Sequence, residues 1–341
     1  MFSVGVIGYL FLGGTGAGAC AVLSVMTLLV PCETEAEKML SSSRRSRITV
    51  VAPSAPYRRL FAPGFLAALG ALAVGCILLV GDLGVTNRAV LLFTSPTPSF
   101  LTLGSYALVA LMVLALLLAV AWGLPSAHMR WGLVRGLAVA GLVVGVVVAT
   151  YTGLLLFSVQ AVPFWRTPWL PALFVASALS SGIALVVATA CFTGAFPIFA
   201  TVMGGLARTD AIVVVLELAC AVAFMASAFV NSYDVARAGA NLLVQGSLST
   251  VFWGGFAFLG LALPFVLDIA VGHMDASGGT RGFGRVGAVG TRGFGCASAS
   301  GGARALPVAL ISACSVLVGS AALRYCIVMA GSHPEVWTVI L

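Results

Sequence analysis

An otherwise apolar chain is interrupted at intervals by a small set of polar residues. They are Tyr9, Asp82 followed by Arg88, Tyr151 with Gln160 beyond it, the group Asn231, Tyr233 and Asp234, and the adjacent Arg324 and Tyr325. A tyrosine hydroxyl donates a hydrogen bond, and a carboxylate takes up a proton and passes it on. A donor at each carbonyl and a route for protons are what a lipid-soluble carrier with polar carbonyls needs, namely a quinone. The same residue types also anchor helices at the membrane edge, with an apolar stem buried and a polar tip in water. Anchoring is the simpler account of Tyr9, Tyr233 and Tyr325 taken singly. For Asp82 and Arg324, pairing inside a helix bundle explains the residue equally well. Glu217 stands apart. It lies about two turns inside the sixth apolar run, where a carboxylate is protonated, paired with a cation or part of a proton path.

The elements that must position these groups follow from composition. Of 341 residues, 61% are hydrophobic and only 8% charged, against about 25% charged in a soluble domain. The mean hydropathy is +1.13. A spanning helix needs roughly 20 consecutive apolar residues, and about eight such runs are found, at 5–30, 62–82, 102–122, 136–158, 170–195, 210–231, 248–271 and 306–329. The fold expected is all-α and polytopic, with two four-helix halves at 1–158 and 159–341. Pro197 interrupts the apolar stretch around the fifth run. No basic residue precedes the first run and no small-residue cleavage site follows it, so it reads as a retained helix.

The Lys and Arg residues set the orientation. Thirteen fall in the first, third, fifth and seventh loops, and three, Arg88, Arg166 and Arg237, in the intervening ones. This bias puts the odd-numbered loops in the cytoplasm and both termini outside, in the cell membrane of a prokaryote. Asp82, Arg88, Tyr151, Asp234 and Arg324 then fall toward the outer leaflet, and Glu217 toward the cytoplasm. The stretch 272–305 is rich in Gly and Ser and repeats Thr-Arg-Gly-Phe-Gly, the pattern of a flexible linker. Gly14/Gly18 and Gly141/Gly145 have the G-x-x-x-G spacing that lets helix backbones approach closely in lipid.

Other chemistry is disfavoured. A b-type haem in a bundle needs an axial ligand, usually His, projecting inward. The three histidines, His128, His273 and His333, all fall in loops or at span ends. The eight cysteines form no C-x-x-C pair, which argues against an iron–sulfur cluster or zinc in this chain. The basic residues are dispersed among loops without interleaved aromatics, unlike a nucleic-acid surface.

Several blocks recur in order along the chain: Tyr9-Leu10-Phe11-Leu12-Gly13-Gly14, then Gly81-Asp82-Leu83-Gly84, Leu103-Gly104-Ser105-Tyr106, Tyr151-Thr152-Gly153-Leu154-Leu155, Pro163-Phe164-Trp165, Pro171-Ala172-Leu173-Phe174, Leu323-Arg324-Tyr325 and Ala330-Gly331. With these the chain resembles the NrfD/PsrC family, the integral membrane subunits of polysulfide-reductase-type and related molybdoenzyme complexes. The resemblance implies an eight-helix subunit that carries no haem and no metal. It also implies a four-cluster ferredoxin-like iron–sulfur subunit docked on the outer face and a molybdopterin-type catalytic subunit beyond it. Electrons would pass between these partners and menaquinone or ubiquinone. A tyrosine of the fourth helix lies at the family's quinone site, and Tyr151 matches it; Asp82 matches the aspartate of the second helix. The expected site is therefore Tyr151 and Asp82 for the chemistry, with Arg88 and Tyr9 beside them, Glu217 on a proton path, and Asp234 and Arg324 as further outer-side polar groups. A non-catalytic anchor of the same complex and a secondary transporter remain the alternatives.

Overall fold

The computed structural model describes residues 4–30, 55–82, 100–124, 131–159, 162–230, 234–279 and 299–332, and every regular element among them is helical. In chain order these are α1 (Val4–Leu29), α2 (Ala55–Asp82), α3 (Phe100–Gly123), α4 (Trp131–Phe157), a 3-10 turn at Pro163–Trp165, α5 (Trp169–Phe192), α6 (Ala200–Val230), α7 (Asp234–Val244), a π-helical stretch Val251–Ala262 running into α8 (Leu263–Gly279), and α9 (Ala299–Ser332). Among the described residues, eight helices are long and apolar enough to cross a bilayer. They coincide with the eight runs expected from sequence. In lipid a backbone must satisfy its own hydrogen bonds, so uninterrupted helices are the natural form for such runs.

Two helices lie inside. About 72% of the spanning window of α1 and 67% of that of α5 is buried, against 28–44% for the other six. α1 packs along α2, α4 and α5, and α5 packs in addition on α6 and α9, so the two halves of the sequence meet along the α1–α5 seam. Small residues make that seam. A β-carbon added to Gly18 would lie 1.8 Å from the carbonyl oxygen of Ala178, and one on Gly182 would lie 2.3 Å from the carbonyl carbon of Gly18. The contact is backbone on backbone, as in close-packed membrane helices. The second G-x-x-x-G pair serves the neighbouring contact, with Gly145 against Ala17 and Ala21 and Gly141 against Ser24. Gly18→Ala is therefore expected to destabilise the fold by at least about 3 kcal/mol. A lowered unfolding midpoint in detergent would report it.

The structure redraws three boundaries. α6 begins at Ala200, ten residues before the run read from sequence, so Asp210 lies within the helix and Glu217 near its middle. Pro197 falls in the turn between α5 and α6 and breaks neither. α8 continues to Gly279 and α9 starts at Ala299, which shortens the linker; the Thr-Arg-Gly-Phe-Gly repeats fall outside the described residues. α7 occupies a stretch expected to be loop. It is amphipathic, burying Ala236, Ala240 and Leu243 while exposing Arg237 and Asn241. At eleven residues it is too short to span, and its pattern is that of a helix lying in the interface.

The π-helical stretch has a local cause. Leu263 donates its N–H to the carbonyl of Phe258, five residues back. Pro264 follows and has no N–H to give. Gly260 there packs on Gly319 of α9, where a β-carbon would come within 1.9 Å of the Gly260 α-carbon. This fixes the π-helical stretch closely against α9.

Candidate functional site

Among the described residues, three polar groups are buried between the spanning helices. The first is a pair of tyrosines. Tyr9 sits on the second turn of α1 and Tyr151 near the end of α4. α1 starts and α4 ends on the same side of the bundle, the side where α9 also ends, so both lie near that face. Tyr9 is 1% and Tyr151 5% exposed, and their side chains face each other. Burial to this depth distinguishes them from interfacial anchors, whose tips stay wet. The Tyr151 ring lies over Gly104 of α3, where a β-carbon would be 2.1 Å from the ring. A hydroxyl is one donor and also an acceptor. Two facing hydroxyls can spend at most one O–H on each other, which leaves an O–H for a further acceptor. That is the donor needed by one quinone carbonyl oxygen, and the residues present fit it.

The second group centres on Arg324 of α9, which is fully buried. Its Nη1 donates to the Ser320 carbonyl at 3.0 Å, to Ser177 Oγ at 3.2 Å and to Ser320 Oγ. The guanidinium carbon lies 5.9 Å from the Phe11 ring and 5.5 Å from that of Phe174, within cation–π range. Gly14 of α1 leaves the space for it, since a β-carbon there would be 2.6 Å from Nη2. Glu217 of α6 is also buried and faces both Ser177 and the charge of Arg324. Ser177 therefore lies beside both the buried cation and the buried carboxyl. Thr15 of α1 donates to Ser181 Oγ at 3.1 Å, and Ser181 in turn donates to the Ser177 carbonyl at 2.7 Å. A charge so far from water needs compensation; here Nη1 is hydrogen-bonded and the Glu217 charge faces the group, while Nε and Nη2 have no hydrogen-bond partner among the described residues.

The third group is a carboxyl pair, Asp210 of α6 and Asp268 of α8, 3% and 5% exposed. The two side chains face each other and line one small cavity, and Ser312 Oγ of α9 donates to Asp268 Oδ1 at 2.7 Å. Neither aspartate is among the candidates expected from sequence. A signal is present, since an acid inside an apolar run is unusual, but Asp210 stands at the expected edge of the sixth run.

The remaining sequence candidates are scattered. Asp82 is the last residue of α2, and Asp234 the first of α7, both on the tyrosine side of the bundle. Arg88, Gln160, Asn231 and Tyr233 lie outside the described residues. Arg324, expected with the outer-side polar set, is eight residues from the end of α9 and turned into the bundle toward Glu217. Trp165 and Phe164 form no part of these groups. They plug the bundle end, with Trp165 Nε1 donating to the Ile327 carbonyl at 3.0 Å over the bare Gly331. Among the described residues no three His, Cys, Asp or Glu side chains gather as a metal site.

Residues 1–279 match the family model described as polysulphide reductase, NrfD. The polysulfide reductase C subunit of Wolinella succinogenes is 29% identical, over 78% of this protein and 82% of its own length. Protein NrfD of Escherichia coli K12 is 33% identical over 39% of this protein and 42% of its own length, and a Haemophilus influenzae NrfD homologue is 29% identical over 38% and 40%.

Proposed function

The chain belongs to the polysulphide reductase NrfD family, and on that premise we propose that it is the quinone-reactive membrane subunit of a multi-subunit oxidoreductase. It exchanges electrons between menaquinone or ubiquinone in the bilayer and an iron–sulfur subunit on the outer face. A molybdopterin-type subunit beyond that partner would set the terminal substrate. The observation that carries this reading is the buried Tyr9–Tyr151 pair, a hydrogen-bond donor deep in an apolar bundle near one face.

In this reading the quinone, when bound, supplies the redox chemistry. Tyr151 donates its free O–H to one carbonyl oxygen and holds the ring in register. Tyr9, which faces it, orients Tyr151. Asp82, ending α2 on the same side, takes up or returns the proton at that oxygen, and Arg88 is the residue that would orient it. Glu217 belongs to a proton path deeper in the bundle. The Lys/Arg asymmetry supports placing the tyrosine end outside, where the electron-transfer partner docks.

Gly104 gives a check that leaves every polar group in place. Gly104→Ala would drive a methyl group into the Tyr151 ring, and quinol-linked turnover is expected to fall about tenfold for a hydroxyl displaced from its acceptor. The reading as a whole is tested by purifying the complex and identifying its subunits and its extractable quinone. A multi-cluster iron–sulfur subunit together with bound quinone is the expected result. The iron–sulfur partner without any quinone would make the chain a membrane anchor only.

A further inference from the structure

The Asp210–Asp268 pair has no part in the quinone site, yet its surroundings are built for a ligand. Asp210 Oδ1 and Asp268 Oδ2 are buried with no hydrogen-bond donor, and so is Ser180 Oγ of α5, which faces Asp210. Buried polar atoms are seldom left so. Beside the two carboxyls is a cavity of about 20 Å³, lined by Asp210, Asp268 and Ser312 and otherwise by apolar groups such as Ile183, Phe196 and Met203. That is room for a single water molecule. Two carboxylates in contact in an apolar interior would repel, and a proton between them removes the repulsion and makes their hydrogen bond. A divalent cation is a poor fit, because it takes about six or more oxygen ligands and most of this lining is apolar.

The pair is also in line with the second polar group. Asp210 and Glu217 are seven residues apart on α6, two turns along one face and about 10 Å in height. The face of α5 opposite carries Ser180, Ser181 and Ser177, all buried, and Ser177 faces Glu217.

We propose that Asp210 and Asp268 form a proton-binding site, one proton shared between the carboxyls and a water in the adjoining cavity, that exchanges protons with Glu217 along the serine face of α5. A proton leaves a carboxyl O–H for the water, and an equal proton returns to the pair from the side where α5 ends and α6 begins. No electron moves. The proton-binding part stands on this geometry alone; its link to turnover rests on the quinone reading.

The test uses the purified complex in lipid, comparing wild type with the Asp210→Asn/Asp268→Asn variant, which keeps the polar shape. Infrared spectra at neutral pH are expected to show a protonated-carboxyl carbonyl band, shifted in D2O, that the variant lacks. In proteoliposomes, proton uptake per quinol from the α5–α6 side is expected to fall at least about tenfold, with quinol oxidation in detergent held within about twofold. Coincident infrared spectra, unchanged proton uptake, or a band that disappears on adding sodium (a cation site instead) would each overturn the proposal. The infrared comparison decides the site even in a complex that proves to have no quinol activity, so failure of the quinone reading is seen separately.

Discussion

Replacing Tyr151 with phenylalanine is expected to lower quinol-linked turnover roughly 10- to 100-fold, because a hydrogen bond to an oxygen that gains charge is worth about 1.5–3 kcal/mol. The ring stays, so its contact with Gly104 and its packing between α3 and α4 are kept, and the complex should assemble in normal amount. Tyr9→Phe removes only the group that orients Tyr151 and should have a smaller effect. Turnover is measured with a short-chain quinol in the purified complex, alongside subunit stoichiometry. Normal turnover in the phenylalanine variant would remove Tyr151 from the chemistry. Loss of assembly in the same variant would reassign the tyrosine pair to packing.

The second large effect lies at Glu217 and Arg324, two buried charges that face each other near Ser177. Glu217→Gln is expected to destabilise the subunit by about 3–5 kcal/mol, since it leaves the Arg324 guanidinium in the bundle without its anion. That is a large part of a stability of about 5–15 kcal/mol, and the yield of assembled complex should fall with it. Arg324→Gln alone should be milder. A carboxyl sheds its charge by binding a proton, whereas a guanidinium cannot. The Glu217→Gln/Arg324→Gln double variant should regain much of the lost stability, because two neutral amides around Ser177 replace two charges. Unfolding midpoints in detergent for the four proteins complete the cycle. Equal stability of wild type and Glu217→Gln would show that the two charges do not support each other.

These charges mark the boundary of what can be read from the sequence. All eight spans are legible, because an apolar run long enough for the bilayer leaves the backbone no alternative to helix. The start of α6 is not. Arg208 and Thr209 read as loop and Asp210 as the first residue of the run, but the helix already begins at Ala200 and carries all three. Arg324 and Glu217 are each visible as an ionisable residue in or near a span. That they face each other depends on Gly14, Ser177 and the packing of α9 on α5, which one-dimensional spacing does not give. Tyr9 and Tyr151 are visible on the same side for a simpler reason: span parity fixes which helix ends share a face. Their contact follows from α1 lying against α4 through Ala17, Ala21 and Gly145. Asp82 can be placed by parity too, at the end of α2.

The charged clusters and the tyrosine pair occupy different depths of the bundle. In the proposed function this arrangement would separate the carrier's hydrogen bond, near the face where the electron partner would dock, from proton-holding groups further in. The small-residue seam between α1 and α5 holds the two regions in one rigid frame, since Gly14 and Gly18 contact the arginine cluster and α5 while Tyr9 on the same helix meets Tyr151.

The most direct measurement is rapid mixing of the purified complex with a short-chain quinol or quinone while the visible absorbance of the iron–sulfur clusters is followed. The expected result is electron exchange between added carrier and clusters when this subunit is present, and loss of that exchange when it is removed or carries Tyr151→Phe. Exchange that proceeds equally without the subunit, or clusters that ignore the carrier in the intact complex, would contradict a quinone-reactive role.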